Sequence, residues 1–347
     1  PYIEELYFPI VESIDILLMK ALNGEIDMMA RHFTNSANKP VLADGREKGG
    51  YDFFDVYGTG ENTMNLCFNQ AVKDEGLREV FQKKEFRIAM SHAINRQEII
   101  DTVFVGQGVP RQSGPQEASK FYDEEFATQY LEYDPDLANQ MLDELGLEMG
   151  DDGIRKRFDG EPLYFNIDCM VNAATHGQVM EIVSKMWKEV GVDSAVKNIE
   201  RALFYERKEN NEHDMVPFWV GDGIVVIVDP RSYMPYSHES PFGNAWVTWW
   251  NTQGKEGVEP HPSAKKQQEL YFNELASTAD PEEQEALMKE ILQISKDEFW
   301  VMGMSSTTPG YGIVRNNFKN VPKEMWGWWP ARNPAQTNPE QYYMIPE

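Results

Sequence analysis

Cysteine is nearly missing from the chain. Only Cys67 and Cys169 occur among 347 residues. So few thiols exclude a fold built on a disulfide scaffold. Both lie in apolar, strand-like segments (Leu66-Cys67-Phe68 and Ile167-Asp168-Cys169-Met170). They read as buried free thiols, with one disulfide as the alternative. Positive charge is also scarce. Lys and Arg total 32 against 57 Asp and Glu, a net charge of −25. That excess disfavours nucleic acid and anionic membrane surfaces, which both need a cationic face. No stretch approaches the roughly 20 apolar residues of a membrane helix. The opening, Pro1-Tyr2-Ile3-Glu4-Glu5, has neither the basic nor the apolar region of a signal peptide and reads as sequence from within a longer protein.

Catalytic signatures are missing too. The chain has no Gly-x-Ser-x-Gly elbow, phosphate-cradling Gly-rich loop, Cys-x-x-Cys or His-Glu-x-x-His. The six histidines are scattered, and Glu212-His213-Asp214 has no second His at ligand spacing. No metal site and no cofactor are expected.

What is present is a foldable, aromatic-rich composition. Hydrophobic residues make up 41%, with 9 Trp, 15 Tyr and 18 Phe. Ile3–Ile10, Glu25–Met29, Tyr51–Tyr57, Asn62–Asn69, Leu163–Met170, Val192–Ile199 and Met215–Trp219 read as strands. Helices are predicted from Ser13 as a cap to Leu22, across the apolar stripe of Leu77–Ala93, and from Asn95 as a cap to about Phe104. Further helices follow Asp134-Pro135, span Gln178–Val190, and follow Asp280-Pro281. The alternation predicts an α/β fold with a largely covered sheet. Charge is uneven: residues 117–161 carry fourteen acidic against four basic side chains. The tail, residues 305–347, holds Trp326, Trp328 and Trp329 among Pro, Gly and Asn and reads as irregular.

Two aromatic clusters are candidates for ligand contact: Phe218-Trp219, and Trp246, Trp249 and Trp250 in a loop-like setting. Indole faces stack on sugar rings or peptide side chains. Asp222, between Gly221 and Gly223 just after a strand, is placed either to accept from a ligand or to serve as a turn residue.

Taken in order, several segments resemble the family 5 extracellular solute-binding proteins of ABC importers. They are Ala21-Leu22-Asn23-Gly24-Glu25-Ile26-Asp27, Phe86–Ile100 with Ala93-Ile94-Asn95-Arg96, Gly106-Gln107-Gly108-Val109-Pro110, Tyr133-Asp134-Pro135, Asp280-Pro281-Glu282-Glu283 and Asn338–Tyr342. The resemblance implies a type II periplasmic-binding-protein-like fold, with a C-terminal lobe plus an incomplete portion of the N-terminal lobe. It implies a partial first lobe over 1–61, the C-terminal lobe over 62–304, and a return segment over 305–347. It also implies that the family's N-terminal half is absent from this chain.

By the same resemblance, Trp219 and Asp222 match the spacing at which peptide binders pair an Asp with the ligand's ammonium. Gly221 and Gly223 depart from that pattern and are expected to remove side-chain walls. With Trp246, Trp249 and Trp250, this tilts the expectation toward oligosaccharide, with oligopeptide beside it. Arg31, His32 and Asn62 complete the candidate set. The implied function is non-catalytic: a periplasmic or extracellular monomer captures the solute and hands it to permease subunits in the membrane. A hydrolase acting on peptides or glycans and a non-transport sensor module are the rival classes.

Overall fold

The structure is a computed structural model describing residues 2–11, 13–31, 33–34, 36–327 and 334–346. In chain order the first elements are α1 (Ile14–Leu22), β1 (Met28–Met29), α2 (Lys39–Asp44), α3 (Arg46–Gly49), β2 (Tyr51–Tyr57) and β3 (Asn65–Phe68). Then come α4 (Glu75–Phe81), α5 (Lys84–His92), α6 (Arg96–Thr102), α7 (Glu124–Thr128), α8 (Pro135–Glu144), β4 (Tyr164–Met170), α9 (Ala174–Glu189) and β5 (Asp193–Ile199). The remainder is α10 (Arg201–Glu209), β6 (Met215–Phe218), α11 (Asn244–Asn251), α12 (Pro262–Gln268), α13 (Pro281–Glu298), β7 (Met302–Gly303), β8 (Gly310–Arg315), β9 (Phe318–Lys319), β10 (Glu324–Trp326) and β11 (Tyr343–Met344). The chain divides into a small unit, residues 1–59 with 307–347, and a large unit, residues 60–306.

The small unit carries a four-stranded sheet in the order β1-β8-β2-β10. β8 runs antiparallel to β1 and β2, and β10 lies parallel to β2. Its core is Ala21, Phe33, Leu42, Tyr51, Tyr311 and Ile313. The tail is therefore not irregular throughout, because β8 and β10 come from it. The predicted strand over Ile3–Ile10 does not form. Residues 2–11 have no regular structure, and Leu6, Tyr7, Phe8 and Ile10 are exposed.

The large unit carries a five-stranded mixed sheet in the order β5-β4-β6-β3-β7. β4 is parallel to β5 and β6, while β3 is antiparallel to β6 and β7. The β4–α9–β5 stretch is a parallel crossover, as its hydrophobic pattern dictates. Val179, Val183 and Trp187 of α9 are buried with Val190 against Phe165 and Ile167 of β4. The buried Trp187 indole N–H still donates to the Met90 carbonyl at 3.0 Å, as a buried Trp must. The Leu77–Ala93 stripe is two helices, α4 and α5, broken at residues 82–83. Asn95 caps α6 by accepting from the Glu98 backbone N–H at 3.1 Å. Cys67 and Cys169 are buried and unpaired. Burial pushes both thiols up, Cys169 to about 12, so they pack as apolar groups.

Candidate functional site

β6 is buried at all four residues and delivers the chain into residues 219–223. Trp219 is half-buried against a core of Cys67, Met170, Phe204, Phe218 and Trp246. Its ring lies 4.7 Å from the His176 ring, centroid to centroid. His176 is itself buried, and desolvation lowers its pKa to about 4. Its Nδ1 has no hydrogen-bond partner.

Beyond Trp219 a buried polar cluster holds the backbone. The Gly221 N–H donates to Glu61 Oε1 at 3.2 Å and to Ser232 Oγ at 2.9 Å. Asn65 Nδ2 donates to the same two oxygens, at 2.9 and 2.8 Å. The Ser113 hydroxyl donates to Asn65 Oδ1 at 2.5 Å. Burial raises the Glu61 carboxyl above its ordinary value, against the hydrogen bonds that favour its ionised form. Asp222 is buried, and its Oδ1 accepts the N–H groups of Ile224 and Val225, each at 2.7 Å. It thereby caps the turn that follows, in the manner of Asx side chains.

The glycines beside Asp222 have a different reason from the one expected. A Cβ on Gly221 would stand 2.8 Å from the Asp229 carbonyl oxygen. One on Gly223 would stand 2.7 Å from Glu61 Cα and 2.9 Å from Glu61 N. The missing side chains let backbone approach backbone. They do not open a wall toward a ligand.

The tryptophan cluster is also not a loop. Residues 244–251 form α11, which spreads the three indoles over different surroundings. Trp246 is fully buried, packed edge-on to Trp300 at 5.8 Å. Trp250 stacks on Phe272 at 5.8 Å, and the Lys265 ammonium sits 4.8 Å from the Trp249 ring centre.

Asn62 is engaged with backbone. Its Oδ1 accepts from Met304 N at 2.8 Å and Ser305 N at 3.2 Å, while its Nδ2 donates to the Arg111 carbonyl at 2.8 Å. Arg31 is an exposed residue of the small unit, and His32 lies outside the described residues. The structure thus brings Trp219, Gly221 and Asp222 together at the end of β6. Glu61, Ser232 and His176 support them and were not singled out from the sequence. Their partners are distant in the chain, so no local spacing announces them. Among the described residues, no group of three or more His, Cys, Asp or Glu side chains is placed to hold a metal ion. Two shallow surface concavities lie in the small unit, at Tyr2/Tyr343 and at Asp15/Lys20, and neither touches a predicted site residue.

The mixed α/β fold is shared with solved periplasmic binding proteins. The profile of the bacterial extracellular solute-binding proteins, family 5, matches residues 1–244, and the chain belongs to that family. It is similar to the di/tripeptide-binding protein 1 of Pseudomonas aeruginosa (strain UCBPP-PA14), with 27% identity over 49% of this chain and 29% of the relative. It is also similar to the dipeptide-binding protein of Escherichia coli (strain K12), with 24% identity over 64% of this chain and 37% of the relative. The chain thus spans about a third of the length of these relatives. Among solved structures, an oligopeptide-binding protein OppA matches with a TM-score of 0.75 and 32% identity, over 97% of this chain and 56% of that one. The periplasmic binding protein MelB of Agrobacterium fabrum C58, in complex with stachyose, matches with a TM-score of 0.75 over 96% of this chain and 51% of that one. At 17% identity, that second match shows the fold alone.

Proposed function

We propose that the protein is the solute-capturing component of an ABC importer and that its solute is an oligopeptide. Capture takes place outside the cytoplasmic membrane, in keeping with the family, and the loaded protein passes its solute to permease subunits. The observation that carries the peptide reading is the Trp219–Asp222 stretch. Asp222 has its carboxylate plane set by two backbone N–H groups before any ligand arrives. Pairing with a peptide ammonium then costs little side-chain entropy. The half-buried Trp219 supplies an apolar face beside it. Two of the features that favoured a sugar have another explanation, since the glycines accommodate backbone and Trp246 is core, while Trp249 and Trp250 remain half-buried.

The test is calorimetry and thermal shift on the full-length protein with Ala-Ala-Ala, its N-acetyl form and maltotriose. Free Ala-Ala-Ala should raise Tm, as any ligand of the native state does, and the acetylated peptide should bind far more weakly. Asp222→Asn should weaken Ala-Ala-Ala by about 30-fold or more, the scale for removing one partner of a desolvated charge pair. It should barely alter the acetylated peptide. A Tm rise with maltotriose and none with peptide overturns the peptide reading in favour of an oligosaccharide. Hydrolysis of the tripeptide would point instead to the hydrolase class.

A further inference from the structure

The aliphatic run Ile224-Val225-Val226-Ile227-Val228 follows Asp222 and Gly223. The turn it forms is rigidly built. Its base closes through the Asp222 N–H to the Asp229 carbonyl at 3.3 Å. Asp222 Oδ1 holds the amides of Ile224 and Val225. The Ser119 hydroxyl donates to the Ile224 carbonyl, and the Tyr271 hydroxyl donates to the Ile227 carbonyl, both at 2.7 Å. The Val228 N–H closes on the Val225 carbonyl at 2.9 Å. Val226 is the plug, fully buried with Phe121, Tyr233 and Met234.

With the backbone held at both ends and the middle side chain buried, Val225 and Val228 are left facing water. They are 51% and 56% exposed. Two stiff, β-branched side chains on a fixed turn keep one shape with little entropy left to lose. Val225 is joined through its own amide to the carboxylate assigned to the ligand's ammonium.

We propose that Val225 and Val228 form an apolar subsite, which selects peptides carrying apolar side chains at their ammonium end. The proposal rests on the peptide reading above. Because the Val225 N–H bonds the Asp222 carboxylate at 2.7 Å, a peptide held there by its ammonium would carry its first side chains beside this turn. Burying a leucine side chain against two valines releases water from both surfaces. A serine side chain gains nothing there.

The test compares Leu-Leu-Ala with Ser-Ser-Ala by calorimetry on the full-length protein. The unaltered protein should bind Leu-Leu-Ala about tenfold or more tightly than Ser-Ser-Ala, the scale of a few methylenes in an apolar site. Val225→Ser and Val228→Ser should each weaken Leu-Leu-Ala by about three- to tenfold and leave Ser-Ser-Ala within about twofold. Val225→Ile should keep the preference, and unliganded Tm should hold in all three variants, as is usual for exposed sites. Equal affinity of the unaltered protein for the two peptides overturns the subsite. So does an equal loss, or no loss, for both peptides in the serine variants. Failure of both peptides to bind the unaltered protein overturns the peptide reading itself, a result distinct from all of these.

Discussion

Two buried imidazoles make the large unit sensitive to acid. His176 packs under Trp219, and His213 has Nε2 at 2.8 Å from the Pro241 carbonyl. Burial lowers both to about 4, whereas an unfolded chain protonates histidine near 6.5. Between about pH 6.5 and pH 4 the unfolded state binds more protons, so stability falls as the pH drops through that window. The expected loss is on the order of 2–3 kcal/mol for each imidazole. Urea unfolding at pH 7 and pH 4.5 measures it. The double variant His176→Gln/His213→Gln should show a flatter profile, and an unchanged slope would refute the assignment. At this scale the sequence marked Asp222 by its flanking glycines but misread why the glycines are there. A missing Cβ means open space or close contact depending on what stands opposite. At Gly223 it is the backbone of Glu61, far away in sequence.

At the scale of elements, α8 and α9 were legible because their signals are local. Asp134 caps α8 through the Leu137 N–H at 2.8 Å, and α9 repeats its apolar residues on the helical period. The segment over residues 3–10 has strand-forming side chains, yet a strand exists only when another strand takes its hydrogen bonds. None of the described residues does so here. α11 shows the converse: the Asn, Pro and Gly around its start suggested a loop, and packing overrode propensity. Trp246 turns inward onto Trp300 and Phe242. Trp246→Ala should therefore cost about 3–5 kcal/mol, as large-to-small changes of buried aromatics do, while the half-buried Trp249→Ala should cost about 1 kcal/mol. Denaturant midpoints check both. A stable Trp246→Ala variant that had lost ligand binding would return Trp246 to the ligand surface.

At the scale of the molecule, the large unit takes in the chain near residue 60 and releases it near residue 306. Asn62 joins these two segments by accepting the amides of Met304 and Ser305, while the Thr63 N–H donates to the Ser305 carbonyl. Asn62→Ala would take that acceptor from three buried N–H groups, those of Met64, Met304 and Ser305. The expected cost is about 3 kcal/mol or more, at about 1–3 kcal/mol for each unsatisfied group. Peptide affinity of the folded protein should stay within about threefold, since the role is structural. Unchanged stability with a large loss of affinity would make Asn62 a ligand contact instead.

Composition, capping residues, hydrophobic period and the order of the family motifs determined the α/β class, most of the helices and the solute-binding family. These follow from the sequence because each depends on neighbours within a turn or two of chain. The tertiary structure alone decided which tryptophan is core, what the glycines accommodate and what Asn62 holds. It also decided that Val225 and Val228 stand outward beside Asp222. Each of those depends on atoms brought together from more than one part of the chain, and local spacing carries no record of that meeting.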